Sequence, residues 1–161
     1  MGNIIKIGIA DLNVCKAPDA VTTLGLGSCV GVALYDSTTK TAGLVHVMLP
    51  DSTQIRNSSN AAKFADTGVV ALVKMMEKAG VAKRNLVAKI AGGAKMFSFS
   101  DSSKVGNVGE RNVEAVKAAL KKEGIRLVAE DTGLDYGRTV EIYAENGNYK
   151  IKAVGKPEKV I

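Results

Sequence analysis

Two runs of β-branched and small apolar residues, Val30 to Asp36 and Thr41 to Leu49, are separated only by Ser37-Thr38-Thr39-Lys40. A connection this short and this rich in turn-forming residues reverses the chain into a β-hairpin. With the turn centred near Thr38 and Thr39, Gly31 falls opposite His46, and Cys29 lies two residues further along the first strand. Side chains alternate with period two, so Cys29 and His46 share one face, at diagonal positions roughly 7 Å apart at Cα. A slip of one residue puts them on opposite faces. His46 is the only histidine and Cys29 one of two cysteines, so this register decides whether a thiol can meet an imidazole.

Around that hairpin the chain reads as an alternation of short strands with two helices. Asn3 to Ala10 reads as a first strand, and Val14-Cys15-Lys16 extends a second, ended by Pro18-Asp19. Cys15 is therefore expected to be a buried or edge-strand residue. Ala20 to Leu24 is a further β-branched segment leading into Gly25-x-Gly27. From Asn60 to Ala79, Phe64, Val69, Leu72, Val73 and Met76 recur at helical spacing before Gly80. Leu86 to Ala91 has the composition of a buried strand and runs into Gly92-Gly93-Ala94, while the polar stretch from Phe97 to Gly109 reads as a loop. A second helix begins at Asn107 or Glu110, with Val113, Val116, Ala119 and Leu120 on one face, and closes at Gly124. Ile125 to Asp131 reads as a strand, and Arg138 to Ala144 with Tyr149 to Val154 as a second hairpin around Asn146-Gly147. The expectation is an α+β fold: one domain spanning residues 1–161, a layered mixed or antiparallel sheet with two main helices packed on the outside. Two hairpins and only two long helices disfavour a parallel doubly wound arrangement.

Several function classes drop out on chemistry. Gly25-x-Gly27 invites a dinucleotide reading, but that motif needs a helix directly after the glycines, and here a strand follows. One histidine and no Cys-x-x-Cys nominate no metal, and no other cofactor motif is present. The net charge of +6 is spread over lysines and arginines interleaved with acids, without the aromatic pattern of an RNA-binding sheet, so nucleic acid is not the expected partner. The longest apolar stretches, such as Gly68 to Met76, fall far short of the roughly 20 residues that cross a bilayer. With no export signal at the amino terminus, the expected location is cytoplasmic, without direct membrane insertion and without a structural disulfide.

What remains is nucleophilic chemistry by Cys29. A cysteine is mostly protonated at neutral pH and needs a base, and His46 is the only imidazole available. A hydroxyl from Thr22 or Thr23, or a backbone carbonyl there, could hold the second ring nitrogen. The glycines let backbone approach a reacting carbonyl, so the N–H of Cys29 and that of a loop neighbour, Gly27 or Ser28, are candidate oxyanion donors. The reaction class is acyl transfer through a thioester. A small buried thiol and a core histidine among Val45, Val47 and Met48 are the bland alternative.

Thr23-Leu-Gly-Leu-Gly-Ser-Cys29 followed by His46-Val-Met-Leu-Pro50 closely resembles the CheD family of chemoreceptor glutamine deamidases. Lys63-Phe64-Ala65-Asp66-Thr67, Ala88 to Ala94 with Met96-Phe97, Gly109 to Val116 and Ala129 to Gly133 resemble further family blocks. The resemblance implies hydrolysis of selected glutamine side-chain amides on methyl-accepting chemotaxis receptors to glutamate and ammonia. It also implies Cys29 as nucleophile, His46 as its base and Thr23 as the residue completing the site, with no cofactor. It further implies binding to the CheC phosphatase as a regulatory partner. A regulatory binding module acting on CheC with little or no catalysis is the alternative within the same resemblance.

Overall fold

The computed structural model describes residues 2–54, 60–96 and 108–161. Its strands are β1 (Ile4–Ile7), β2 (Leu12–Lys16), β3 (Ala20–Leu26), β4 (Val30–Asp36), β5 (Thr41–Val47), β6 (Val87–Gly92), β7 (Arg126–Thr132), β8 (Arg138–Tyr143), β9 (Tyr149–Lys152) and β10 (Lys159–Val160). Among the described residues the α-helices are α1 (Ala65–Lys78) and α2 (Val108–Lys122). The fold is α+β, as expected, but the strands divide between two five-stranded sheets, β1-β3-β8-β9-β10 and β2-β5-β4-β6-β7. Both sheets are mixed, because β1 pairs parallel with β3 and β6 pairs parallel with β7.

The second sheet is the middle layer. Val30, Val32 and Leu34 of β4 and Val45 and Val47 of β5 pack with Val69, Leu72, Val73 and Met76 of α1 and Val116 and Leu120 of α2. The opposite face of the same strands, with Ala33, Tyr35, Ala42 and Leu44, packs against Val21, Leu26, Val140, Ile142 and Tyr149 of the first sheet. Strands covered on both sides lose the polar alternation of a half-exposed sheet, and every residue of β4 and β5 is buried. These two apolar layers supply most of the driving force for folding.

Several boundaries differ from the sequence reading for identifiable reasons. The first strand stops at Ile7 instead of Ala10, whose φ of 59° places it in a turn. β3 runs through Gly25 to Leu26, with its ladder to β8 interrupted between Thr23 and Leu26 where Gly25 takes φ 69°. The helix expected from Asn60 starts at Ala65, because Asn60 caps a separate short turn, Ala61–Lys63, by accepting from the Ala62 N–H at 3.0 Å. Val108 and Gly109 are helical and not loop. Phe97 to Asn107 lies outside the described residues. Gly109 has no room for a side chain, since a Cβ there would run into the Ala94 and Gly93 carbonyls. β10 carried no sequence signal: two exposed residues pair with β9 at the sheet edge.

Candidate active site

The β4–β5 register places Gly31 opposite His46. His46, with Ala42 and Leu44, therefore faces the first sheet, and Cys29, just before β4, also packs into that inter-sheet layer. The face shared by thiol and imidazole is thus the buried seam between sheets. Gly31 keeps the seam open beside His46: a Cβ there would lie 2.7 Å from the Tyr149 hydroxyl, which donates to the Gly31 carbonyl at 2.8 Å.

His46 is fully buried. Its Nδ1 lies 2.8 Å from the Thr23 hydroxyl, which crosses from β3 in the facing sheet. The same hydroxyl donates to the Ile7 carbonyl at 3.1 Å. A threonine hydroxyl has one proton, and a carbonyl can only accept, so toward His46 the oxygen acts as acceptor. That assigns the proton to Nδ1 and leaves Nε2 with its lone pair. Nε2 is buried and has no hydrogen-bond partner among the described residues. Thr22, the other candidate, points away and donates to Val140 at 2.7 Å.

The segment carrying Cys29 is held by its carbonyls. The Gly27 oxygen accepts from the Ala94 N–H at 2.8 Å, the Cys29 oxygen from the Gly93 N–H at 2.8 Å, and the Ser28 oxygen from Asn112 Nδ2 at 2.9 Å. Gly92 makes this approach possible, since with φ 109° it lies so close that a Cβ would overlap the Cys29 carbonyl oxygen. Behind that turn, buried Arg138 pairs with Asp131 at 3.0 Å and donates to the Gly133 carbonyl at 3.0 Å, while the Gly133 N–H donates to Gly92. The N–H groups behave differently. Gly27 donates to the Gly25 carbonyl at 3.0 Å, so its N–H is not available to a substrate oxygen. The N–H groups of Ser28 and Cys29 have no acceptor among the described residues.

Burial dominates the electrostatics. Desolvation lowers the His46 pKa to about 4 and raises that of the Cys29 thiol. At neutral pH the resting pair is a neutral thiol and a neutral imidazole, with no hydrogen bond joining them. The arrangement suits proton transfer from thiol to Nε2 during attack, rather than a stored thiolate. Cys15 lies buried on the edge strand β2, where desolvation and Asp19 raise its pKa to about 11. No three His, Cys, Asp or Glu side chains come together as a metal site among the described residues.

The sequence reading missed Asn112 and Arg138. Asn112 interrupts the apolar stripe of α2 four residues before Val116 and eight before Leu120, and a polar side chain on a buried stripe was the available signal. Arg138 opens β8 and its side chain is fully buried, a long cation next to the apolar positions Val140 and Ile142.

Two stacked mixed sheets with helices on one outer face, and a half-buried cysteine beside a buried histidine in the seam, define a layered α+β protein with a thiol–imidazole site. The fold is shared with a Neisseria meningitidis protein of the family model DUF152, at TM-score 0.52 and 10% identity over 82% of this chain and 64% of that one. A family model described as CheD chemotactic sensory transduction matches residues 48–153. A Lachnoclostridium phytofermentans protein named "Probable chemoreceptor glutamine deamidase CheD" is 58% identical over the full length of both chains. Relatives of the same name from Clostridium botulinum and Caldanaerobacter subterraneus are 55% and 52% identical, covering 94% and 98% of this chain and 93% and 98% of theirs. The chain belongs to the CheD family. The family-model match begins two residues after His46, whereas the Lachnoclostridium phytofermentans relative aligns across Thr23, Cys29 and His46 as well.

Proposed function

We propose that this protein deamidates glutamine side chains of methyl-accepting chemotaxis receptors through a thioester on Cys29. The observation that carries the reading is the Thr23–His46 hydrogen bond of 2.8 Å, which leaves on Nε2 a lone pair that has no partner among the described residues. The substrate comes from the relatives, each named as a chemoreceptor glutamine deamidase.

In this mechanism Cys29 Sγ attacks the amide carbon while its proton passes to His46 Nε2. The carbonyl oxygen becomes an oxyanion met by the N–H groups of Cys29 and Ser28. The imidazolium then gives its proton to the departing nitrogen, releasing ammonia and leaving a glutamyl thioester. Water loses a proton to Nε2, attacks the thioester, and returns glutamate and the free thiol. Thr23 keeps the ring in the one tautomer able to accept at Nε2, and Gly27 shapes the loop. The chain is consumed in neither half and no cofactor enters.

Family membership supports CheC phosphatase as the regulatory partner and the cytoplasm, where receptor signalling domains lie, as the place of action. Ammonia release from receptor cytoplasmic fragments tests the reading: the wild-type chain releases it and Cys29→Ala does not. Equal release by both proteins removes Cys29 from the chemistry. Tight CheC binding without release from any receptor fragment favours a regulatory module instead.

A further inference from the structure

Asn112 lies in the second turn of α2 and is fully buried. Its Nδ2 donates to the Ser28 carbonyl at 2.9 Å and to the Met48 carbonyl at 3.0 Å. An amide nitrogen has two protons and both are used, so only this orientation of the side chain satisfies the two carbonyls. The other end of the amide is left in deficit: Oδ1 is buried without a donor among the described residues. A buried side chain that spends both of its donors on the backbone of two other segments has the role of holding those segments together.

The two carbonyls identify that role. Ser28 O belongs to the same planar peptide as the Cys29 N–H, and in a trans peptide these two groups point in opposite directions. α2 packs on the helix side of the middle sheet, whereas Cys29 packs in the seam on the other side. Anchoring Ser28 O toward α2 therefore aims the Cys29 N–H away from the helix, toward the seam where the thiol lies. The second carbonyl, Met48 O, sits two residues beyond His46, just past the end of the strand that carries the base. One side chain thus spans the nucleophile segment and the base strand.

We propose that Asn112 is a positioning residue that orients the Ser28–Cys29 peptide as the oxyanion donor and holds it in register with the His46 strand. The proposal rests on the reading of Cys29 as the nucleophile of an amide hydrolysis. Asn112 touches neither substrate nor thiol, and acts only through the peptide it holds.

A comparison of two reactions of Cys29 tests this. Deamidation passes through an oxyanion and needs the oriented N–H. Alkylation of the same thiol by iodoacetamide develops no oxyanion at a carbonyl and needs only the thiol and its base. Asn112→Ala is expected to lower kcat for receptor deamidation by about 10- to 100-fold, the scale of a displaced oxyanion donor. KM should change by less than about threefold, and Cys29 alkylation, followed by peptide mapping, should stay within about twofold of wild type, since neither depends on that donor. Wild-type kcat in Asn112→Ala overturns the proposal while leaving the deamidase reading intact. A parallel fall of kcat and alkylation also overturns it, because the residue then acts on the thiol or on the whole fold. If Asn112→Ala does not fold, Asn112→Ser, which retains one donor, replaces it: an intermediate kcat with unchanged alkylation supports the proposal, and full kcat overturns it. A wild-type chain that deamidates no receptor fragment removes the deamidase reading and this proposal together.

Discussion

The Thr23 hydroxyl and His46 Nδ1, 2.8 Å apart, form a hydrogen bond between the two sheets, and its direction follows from the second bond that the same hydroxyl makes to Ile7. Thr23 is placed by pairing with β1 and β8, and His46 by pairing with Gly31 of β4 and by its N–H donating to the Asp11 carbonyl just before β2. The tautomer of His46 is thus set by how the sheets stack. Nitrogen NMR of the single histidine should show the proton on Nδ1 at neutral pH.

Thr23→Val keeps the shape but removes the acceptor for Nδ1–H. The ring is then free to take the other tautomer, and kcat should fall by about 10- to 100-fold, as when the group orienting an imidazole is lost. Stability should fall by about 1–3 kcal/mol, the scale of losing two buried hydrogen bonds and leaving their partners unpaired. Thr23→Ser, which retains the hydroxyl, should recover most of the rate. Equal rates in the valine and serine variants would show that the hydroxyl is not used.

The pH dependence follows from the burial of His46. Its pKa is lowered to about 4, so the imidazole remains available as a base well below the range of an exposed histidine. The acid limb of kcat/KM should lie near pH 4, and the alkaline limb should lie above the ordinary thiol value because Cys29 is raised. An acid limb near 6.5, the value of a solvated imidazole, contradicts this.

The same shift enters stability. Between about pH 6.5 and 4 the unfolded chain binds a proton at His46 that the folded chain refuses. The contribution is complete above about 6.5 and is lost as pH falls through about 4, on the order of 3 kcal/mol at most. Urea unfolding at pH 7 and pH 4.5 measures it: wild type should lose more stability than His46→Gln over that interval.

Gly92→Ala should couple stability to activity. The new Cβ meets the Cys29 carbonyl at a φ of 109°, so strain and displacement of the nucleophile segment should together cost about 1–3 kcal/mol. Deamidation should fall further than stability alone accounts for at a temperature where the variant remains folded. A thermal melt alongside kcat separates the two effects.

Much of this arrangement was legible in the sequence because it rests on local rules. The four-residue turn specified the β4–β5 register, and alternation then put Cys29 and His46 on one face. The amphipathic spacing of Val69, Leu72, Val73 and Met76 gave α1 its buried face. What was not legible depends on contacts distant in the chain. Division of the strands into two sheets is set by β3 pairing with β8, more than a hundred residues away, and no periodicity carries that partnership. The choice of Thr23 over Thr22 depends on which side of β3 meets the second sheet. The engagement of the Gly27 N–H on Gly25, and the grip of Asn112 on Ser28, are tertiary details of a loop that a motif describes only by composition.

The role proposed for Cys29 is conversion of receptor glutamine to glutamate. Mass spectrometry of receptor cytoplasmic fragments incubated with wild type, Cys15→Ala and Cys29→Ala tests it most directly, because glutamate is heavier than glutamine and the modified positions are read in the same spectrum. Deamidated glutamines are expected with wild type and with Cys15→Ala, and unmodified fragments with a folded Cys29→Ala protein. Deamidation that persists in Cys29→Ala at the wild-type rate would contradict it.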